Sequence, residues 1–129
     1  MIYKIVIPGK PVPKDRPRIN SSGKMYTPVK TKMYEELVAT RAREVMPEPL
    51  TGNVRVDIKI YGKQIKSDID NLAKSILDGL TKVAYNNDRQ VTVLTVEILQ
   101  SPFERAEIEL SEIKEVKRDD KGFRHTAKR

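Results

Sequence analysis

The chain has no cysteine, no tryptophan and a single histidine, His125, and each absence closes a class of chemistry. Without thiols there is no disulfide framework, no thiolate zinc site and no cysteine nucleophile. One histidine close to the C-terminus excludes a multi-histidine metal centre and a Ser-His triad in the body of the chain. Aromatic residues make up only 5% of the 129 residues, and apolar residues 38% against 33% charged. That is a thin core for one small domain, and it mildly favours an oligomer. No run approaches the roughly 20 apolar residues that span a bilayer. The N-terminal residues 1–7 also lack the apolar core and cleavage site of a signal peptide, so a cytosolic protein with no membrane partner is expected. Any chemistry falls to carboxylates, lysines, arginines or hydroxyls.

What the chain does have is positive charge, unevenly placed. The formal net charge is +7. Residues 9–30 carry six basic side chains (Lys10, Lys14, Arg16, Arg18, Lys24, Lys30) against Asp15, a net of +5. Residues 114–129 carry seven against three, a net of +4, which leaves the rest at −2. A nearly neutral body with two cationic segments suits a polyanionic partner, because clustered Lys and Arg release the counterions condensed on phosphates. A solvated surface with a disordered tail has the same composition.

The apolar pattern predicts an α+β (mixed α/β) domain over residues 1–113, followed by a basic, mobile tail over 114–129. Residues 1–7 read as a strand apolar on both faces. Three prolines between Gly9 and Arg18 make a stiff, extended basic loop, and Lys24-Met-Tyr26 is a short returning strand. Thr27-Pro28 opens a helix over about 28–46, with Tyr34, Leu37, Val38 and Val45 on one stripe. Residues 54–60 alternate as a strand with one wet face. Residues 70–82 form a second helix with Leu72, Ile76, Leu77, Leu80 and Val83 inward, and Ser67 or Asp68 stands at its start. Strands at 91–99 and 106–110 follow and are expected to pair with each other, antiparallel. The order β-α-β-α-β-β implies a mixed sheet of about four main strands with two helices packed on it.

The densest polar signal is Lys66-Ser-Asp68-Ile-Asp70-Asn71-Leu-Ala-Lys74, followed fourteen residues later by Asp88. Residues i and i+2 do not share a helical face, so Asp68 and Asp70 converge only if Asp68 precedes the helix and Asp70 lies in its first turn. Lys74 lies one turn beyond Asp70 on the same face. Asp88 joins them if residues 83–88 fold back toward the helix N-terminus. Three carboxylates in one place repel unless a cation lies between them, and Mg²⁺ or Mn²⁺ matches such hard oxygen donors. Such a site polarises a phosphoryl oxygen, with Lys74 adding charge at the transition state. The plainer alternative is a helix start: Asp68 as a cap, Asp70 favoured by the helix dipole, and Asp70 with Lys74 as a surface pair. Asp78 reads as a solvated position, and Asp57 faces the wet side of its strand.

These residues closely resemble a known signature. Asp68-Ile-Asp70-Asn71-Leu72-Ala-Lys74, then Asp78-Gly-Leu80 and Asp88-Arg-Gln90-Val91, is similar to the D-x-D-N-L-x-K…D-x-L…D-x-Q-V pattern of the RusA family of Holliday junction resolvases. Pro8-Gly9-Lys10-Pro11-Val-Pro13-Lys14-Asp-Arg16-Pro17-Arg18 looks like the basic proline-rich segment of its phage-type members. The resemblance implies a homodimeric, Mg²⁺-dependent endonuclease, cytoplasmic and of bacterial or phage origin, that nicks two symmetry-related strands of a four-way DNA junction. Mn²⁺ is an expected substitute, and no small-molecule organic cofactor is implied. Asp68, Asp70 and Asp88 match the family's metal-binding acids, and Lys74 its active-site lysine. Where members often carry two successive acids, this chain has Asn87-Asp88. Lys10, Lys14, Arg16, Arg18, Lys24 and Lys66 are the expected DNA contacts. Two rivals stand beside this reading: a non-catalytic DNA-binding protein of the same fold, and a structural or regulatory dimer whose basic tail binds RNA or acidic proteins.

Overall fold

The computed structural model describes residues 1–120. His125 and most of the expected tail lie outside the described residues. Ten residues of strict alternation make strand β4 (Asn53–Gly62), with Val54, Val56, Ile58 and Ile60 buried on one face. Around it lie β1 (Ile2–Pro8), β5 (Val91–Gln100) and β6 (Arg105–Ile113), in the spatial order β1-β6-β4-β5. β6 is antiparallel to both its neighbours, and β5 is parallel to β4. A small hairpin of β2 (Arg18–Ile19) and β3 (Met25–Tyr26) stands apart from this sheet.

Both helices cover one face of the sheet. Helix α1 (Val29–Val45) starts after Pro28 and buries Thr31, Tyr34, Val38 and Ala42. Helix α2 (Ile69–Leu80) buries Leu72, Ala73, Ser75, Ile76, Gly79 and Leu80. The helices meet at Gly79, where an added Cβ would stand 2.7 Å from Val38 Cβ and 2.8 Å from the Glu35 carbonyl oxygen. The opposite face of the sheet carries alternating charge, including Arg55, Asp57, Lys59, Arg105, Glu107 and Glu109.

The α+β class, the element order and the two helices agree with the sequence pattern. Three details differ. β5 and β6 do not pair: the β4-α2-β5 crossover leaves β5 on one side of β4, and β6 takes the other side. There β6 finds two hydrogen-bonding partners instead of one and buries Ala106, Ile108 and Leu110. The connector 101–104 crosses the end of β4, tied by the Ser101 N–H donating to the Gly62 carbonyl at 2.9 Å. Two strand spacings are about 10 Å, within reach of four extended residues. β1 is an edge strand with one wet face, since Ile5 and Ile7 are buried while Ile2 and Val6 are exposed. On α1, Ala42 is buried in the inward stripe, and Val45, expected there, is exposed in the last turn at the end of the helix.

The proline-rich loop is fastened across the two helices. The Lys14 N–H donates to the Asn71 carbonyl at 2.8 Å, the Ser75 hydroxyl to the Val12 carbonyl at 2.6 Å, and the Thr31 hydroxyl to the Pro13 carbonyl at 3.0 Å. Prolines cannot supply ladder donors, so the loop is held by the Val12 and Pro13 carbonyls together with the Lys14 N–H. This explains Thr31 and Ser75, the buried polar residues of the described chain. The basic segment therefore passes beside the first turns of α2.

Candidate active site

Asp68 occupies the N-cap position of α2 in extended conformation, and its side chain makes no capping hydrogen bond. Asp70 lies in the first turn and accepts from the Asn71 N–H at 2.9 Å. Both are exposed. Among the described residues neither carboxylate is in an ion pair, and Lys74 turns instead to Asp78 Oδ1 at 3.2 Å and Asp88 Oδ2 at 3.7 Å. The plain helix-start account, in which Asp68 caps and Asp70 pairs with Lys74, is not what the side chains do. Two adjacent carboxylates are left facing solvent at a helix start.

The return of Asp88 is built from the end of α2. Lys82 adopts φ 78°, the left-handed conformation that commonly ends a helix. Its N–H donates to the Tyr85 carbonyl at 2.6 Å, and the Tyr85 ring is fully buried. Gln90 then holds the loop. Its Oε1 accepts from the Asn86 and Asn87 N–H groups at 2.8 and 2.9 Å, and its Nε2 donates to the Leu50 and Gly52 carbonyls, each at 2.8 Å. The side chain of Asn87 caps the single 3-10 turn Asp88–Gln90 by accepting from the Arg89 N–H at 2.9 Å. The fold-back thus delivers Asp88 to Lys74, one helical turn past Asp70.

Two carboxylates that sequence reasoning did not place here complete the arrangement. Asp78 bridges Lys74 and Lys14, with Oδ2 3.0 Å from Lys14 Nζ, and Glu35 accepts from Lys14 at 2.6 Å. The result is a chain of alternating charge, Glu35, Lys14, Asp78, Lys74, Asp88. Partial burial works against the Lys14 charge, but the hydrogen bonds and charges of Glu35 and Asp78 outweigh it and hold its pKa above the ordinary lysine range. The i,i+4 spacing of Lys74 and Asp78 was a usable signal. Glu35, on the other helix, had none.

The remaining cations differ in what holds them. Lys10 and Lys66 line one open hollow of about 300 Å³ with Gln64 and Ser67, beside the start of α2. Arg16, Arg18 and Lys24 are exposed around the small hairpin, with Arg18 3.8 Å from Asp15. The Lys14 ammonium is turned inward. Asp57 lies on the helix-free face of the sheet, paired with Arg55 at 2.9 Å and accepting from Thr95.

The donor chemistry of Asp68, Asp70 and Asp88 fits a hard divalent cation. Their spacing is looser: among the described residues no three acids stand together as a ready ligand set. No helix among the described residues is long and apolar enough to cross a membrane.

Comparison with known proteins agrees with the signature. The chain is similar to the uncharacterized protein YqaN of Bacillus subtilis (strain 168), 30% identical over 136 residues, covering 85% of this chain and 96% of that protein. Residues 8–111 match the family model described as endodeoxyribonuclease RusA, a span that takes in the basic loop, both helices, the acidic residues and most of the sheet. The chain belongs to the RusA endodeoxyribonuclease family.

Proposed function

We propose that the protein is a Mg²⁺-dependent endodeoxyribonuclease that resolves four-way DNA junctions by paired symmetric nicks, acting as a homodimer in recombination and repair. The observation that carries this reading is the pair of exposed carboxylates, Asp68 and Asp70, left without cap or cation beside a basic loop and a Lys10–Lys66 hollow. Acids beside a phosphate path repel the ligand unless a metal ion joins them. Asp68, Asp70 and Asp88 would hold that ion, Mg²⁺ or in its place Mn²⁺, which when bound supplies Lewis-acid polarisation of a phosphoryl oxygen. Lys74 supplies positive charge toward the scissile phosphate, oriented by Asp78. Lys10, Arg16, Arg18, Lys24 and Lys66 offer their charge to the DNA backbone, and Lys14 fixes the loop that carries Lys10, Arg16 and Arg18. A two-fold protein presents two such sites to the two like strands of a junction.

The test is cleavage of a synthetic four-way junction and of linear duplex, each with Mg²⁺ and with EDTA. Metal-dependent nicks confined to the junction are expected. Asp70→Ala should lower cleavage by about 100-fold or more while junction binding persists. Normal cleavage by Asp70→Ala would overturn the role given to this acid. One observation favours a second reading, a non-catalytic DNA-binding protein of the same fold: Asp88 pairs with Lys74 instead of completing an acidic trio. Tight junction binding with no cuts at any Mg²⁺ concentration would decide for it.

A further inference from the structure

Asp78 is shared by two lysines from distant parts of the chain. Its Oδ1 lies 3.2 Å from Nζ of Lys74, one turn back on α2, and its Oδ2 lies 3.0 Å from Nζ of Lys14 on the proline-rich loop. Glu35 of α1 holds Lys14 from a second side at 2.6 Å. The two cations differ in what is left open. Lys14 shows 24% of its side chain and stands between two carboxylates, whereas Lys74 keeps 50% of its own exposed, on the helical face that carries Asp70.

The loop does not need the Lys14 ammonium as its only anchor. The Lys14 N–H and the Val12 and Pro13 carbonyls already tie its backbone to Asn71, Ser75 and Thr31. The charge has a second consequence, at Lys74. By itself Lys74 would face two acids, Asp78 at 3.2 Å and Asp88 at 3.7 Å, one positive charge against two negative. Two such neighbours draw an ammonium onto themselves and cancel its field at any third group. Lys14 changes that balance, because it occupies one oxygen of Asp78 and offsets its charge, while Glu35 touches only the Lys14 end of the set. We infer that Lys14 is a positioning residue for Lys74: by holding Asp78 Oδ2 it leaves a single oxygen, Oδ1, to orient Lys74, and so keeps the Lys74 charge outward for a phosphate.

This inference rests on the nuclease reading for its use, and it is tested by two readouts, one of them independent of cleavage. The first is steady-state cutting of a four-way junction with Mg²⁺. Lys14→Met should lower kcat by about 10-fold, part of the roughly 100-fold that outright loss of one transition-state donor costs, with KM unchanged. The second is the ¹⁵N resonance of the Lys74 ammonium, which should move in Lys14→Met. The signature is reversal by a second substitution. Asp78→Asn, added to Lys14→Met, keeps an oxygen for Lys74 but removes the charge that Lys14 no longer offsets, so kcat and the resonance should both return most of the way. Thr31→Val loosens the same loop at Pro13 without touching these charges, so it should lower Tm and leave both readouts in place. A Lys74 resonance that Lys14→Met does not move, a loss that Asp78→Asn does not reverse, or an equal loss in Thr31→Val would each overturn the inference. A protein whose Lys74 resonance moves and returns as stated but that cuts no junction would sink the nuclease reading alone. One that cuts junctions equally well with Lys14 or methionine would sink this inference alone.

Discussion

Lys14 shows how one side chain of a cationic loop can be structural. Its ammonium lies 2.6 Å from Glu35 and 3.0 Å from Asp78, with about a quarter of the side chain exposed. Because its pKa is raised in the folded protein, the stabilisation is fully present below the ordinary lysine value of 10.5 and is lost as pH rises through the folded value. Lys14→Met should therefore lower stability at pH 7 by about 2 kcal/mol, the scale of hydrogen bonds to charged groups. In thermal unfolding the gap from wild type should narrow above pH 10.5. The salt dependence of DNA binding should be unchanged by this substitution. Unaltered stability with a shallower salt slope would instead make Lys14 a phosphate contact.

At the level of elements, α1 and α2 approach closely at Gly79. Alanine is favoured over glycine inside a helix by about 1 kcal/mol. Here its methyl would press on the Val38 side chain and the Glu35 backbone oxygen, and a backbone atom cannot swing aside. Gly79→Ala should thus destabilise by about 1–3 kcal/mol despite its better propensity, read as a lower Tm. A neutral or raised Tm would show that the helices separate freely. The same crossing shows what the sequence could and could not disclose. Leu72, Ile76 and Leu80 recur at helical spacing, so α2 was legible, and with it the placement of Asp68 before the helix and Asp70 in its first turn. The partner of a strand is a tertiary choice that local pattern does not encode, and so the expected β5–β6 pairing gave way to β6 lying between β1 and β4. Asp78 looked like a solvated position because the lysine that claims it arrives from a loop far away in sequence.

Over the whole molecule, the field at the candidate site is a contest between the exposed cations and the acids of α2. Phosphate contacts set the salt dependence of binding, each lowering the slope of log K against log salt by about 0.9 on duplex DNA. Arg16, Arg18 and Lys24 are exposed around the hairpin, so replacing all three with glutamine should make the slope shallower by about 2–3 and weaken binding to every DNA alike. The acids should act with the opposite sign. In EDTA, Asp68→Asn with Asp70→Asn removes two negative charges from the phosphate path, and junction affinity at low salt should rise. With Mg²⁺ present the ordering should reverse, because the wild-type carboxylates then recruit the cation that bridges them to phosphate. Fluorescence anisotropy on a labelled junction reads both arms. If the double amide bound no more tightly in EDTA, the DNA would run elsewhere on the surface, and the acidic start of α2 would lie outside its path.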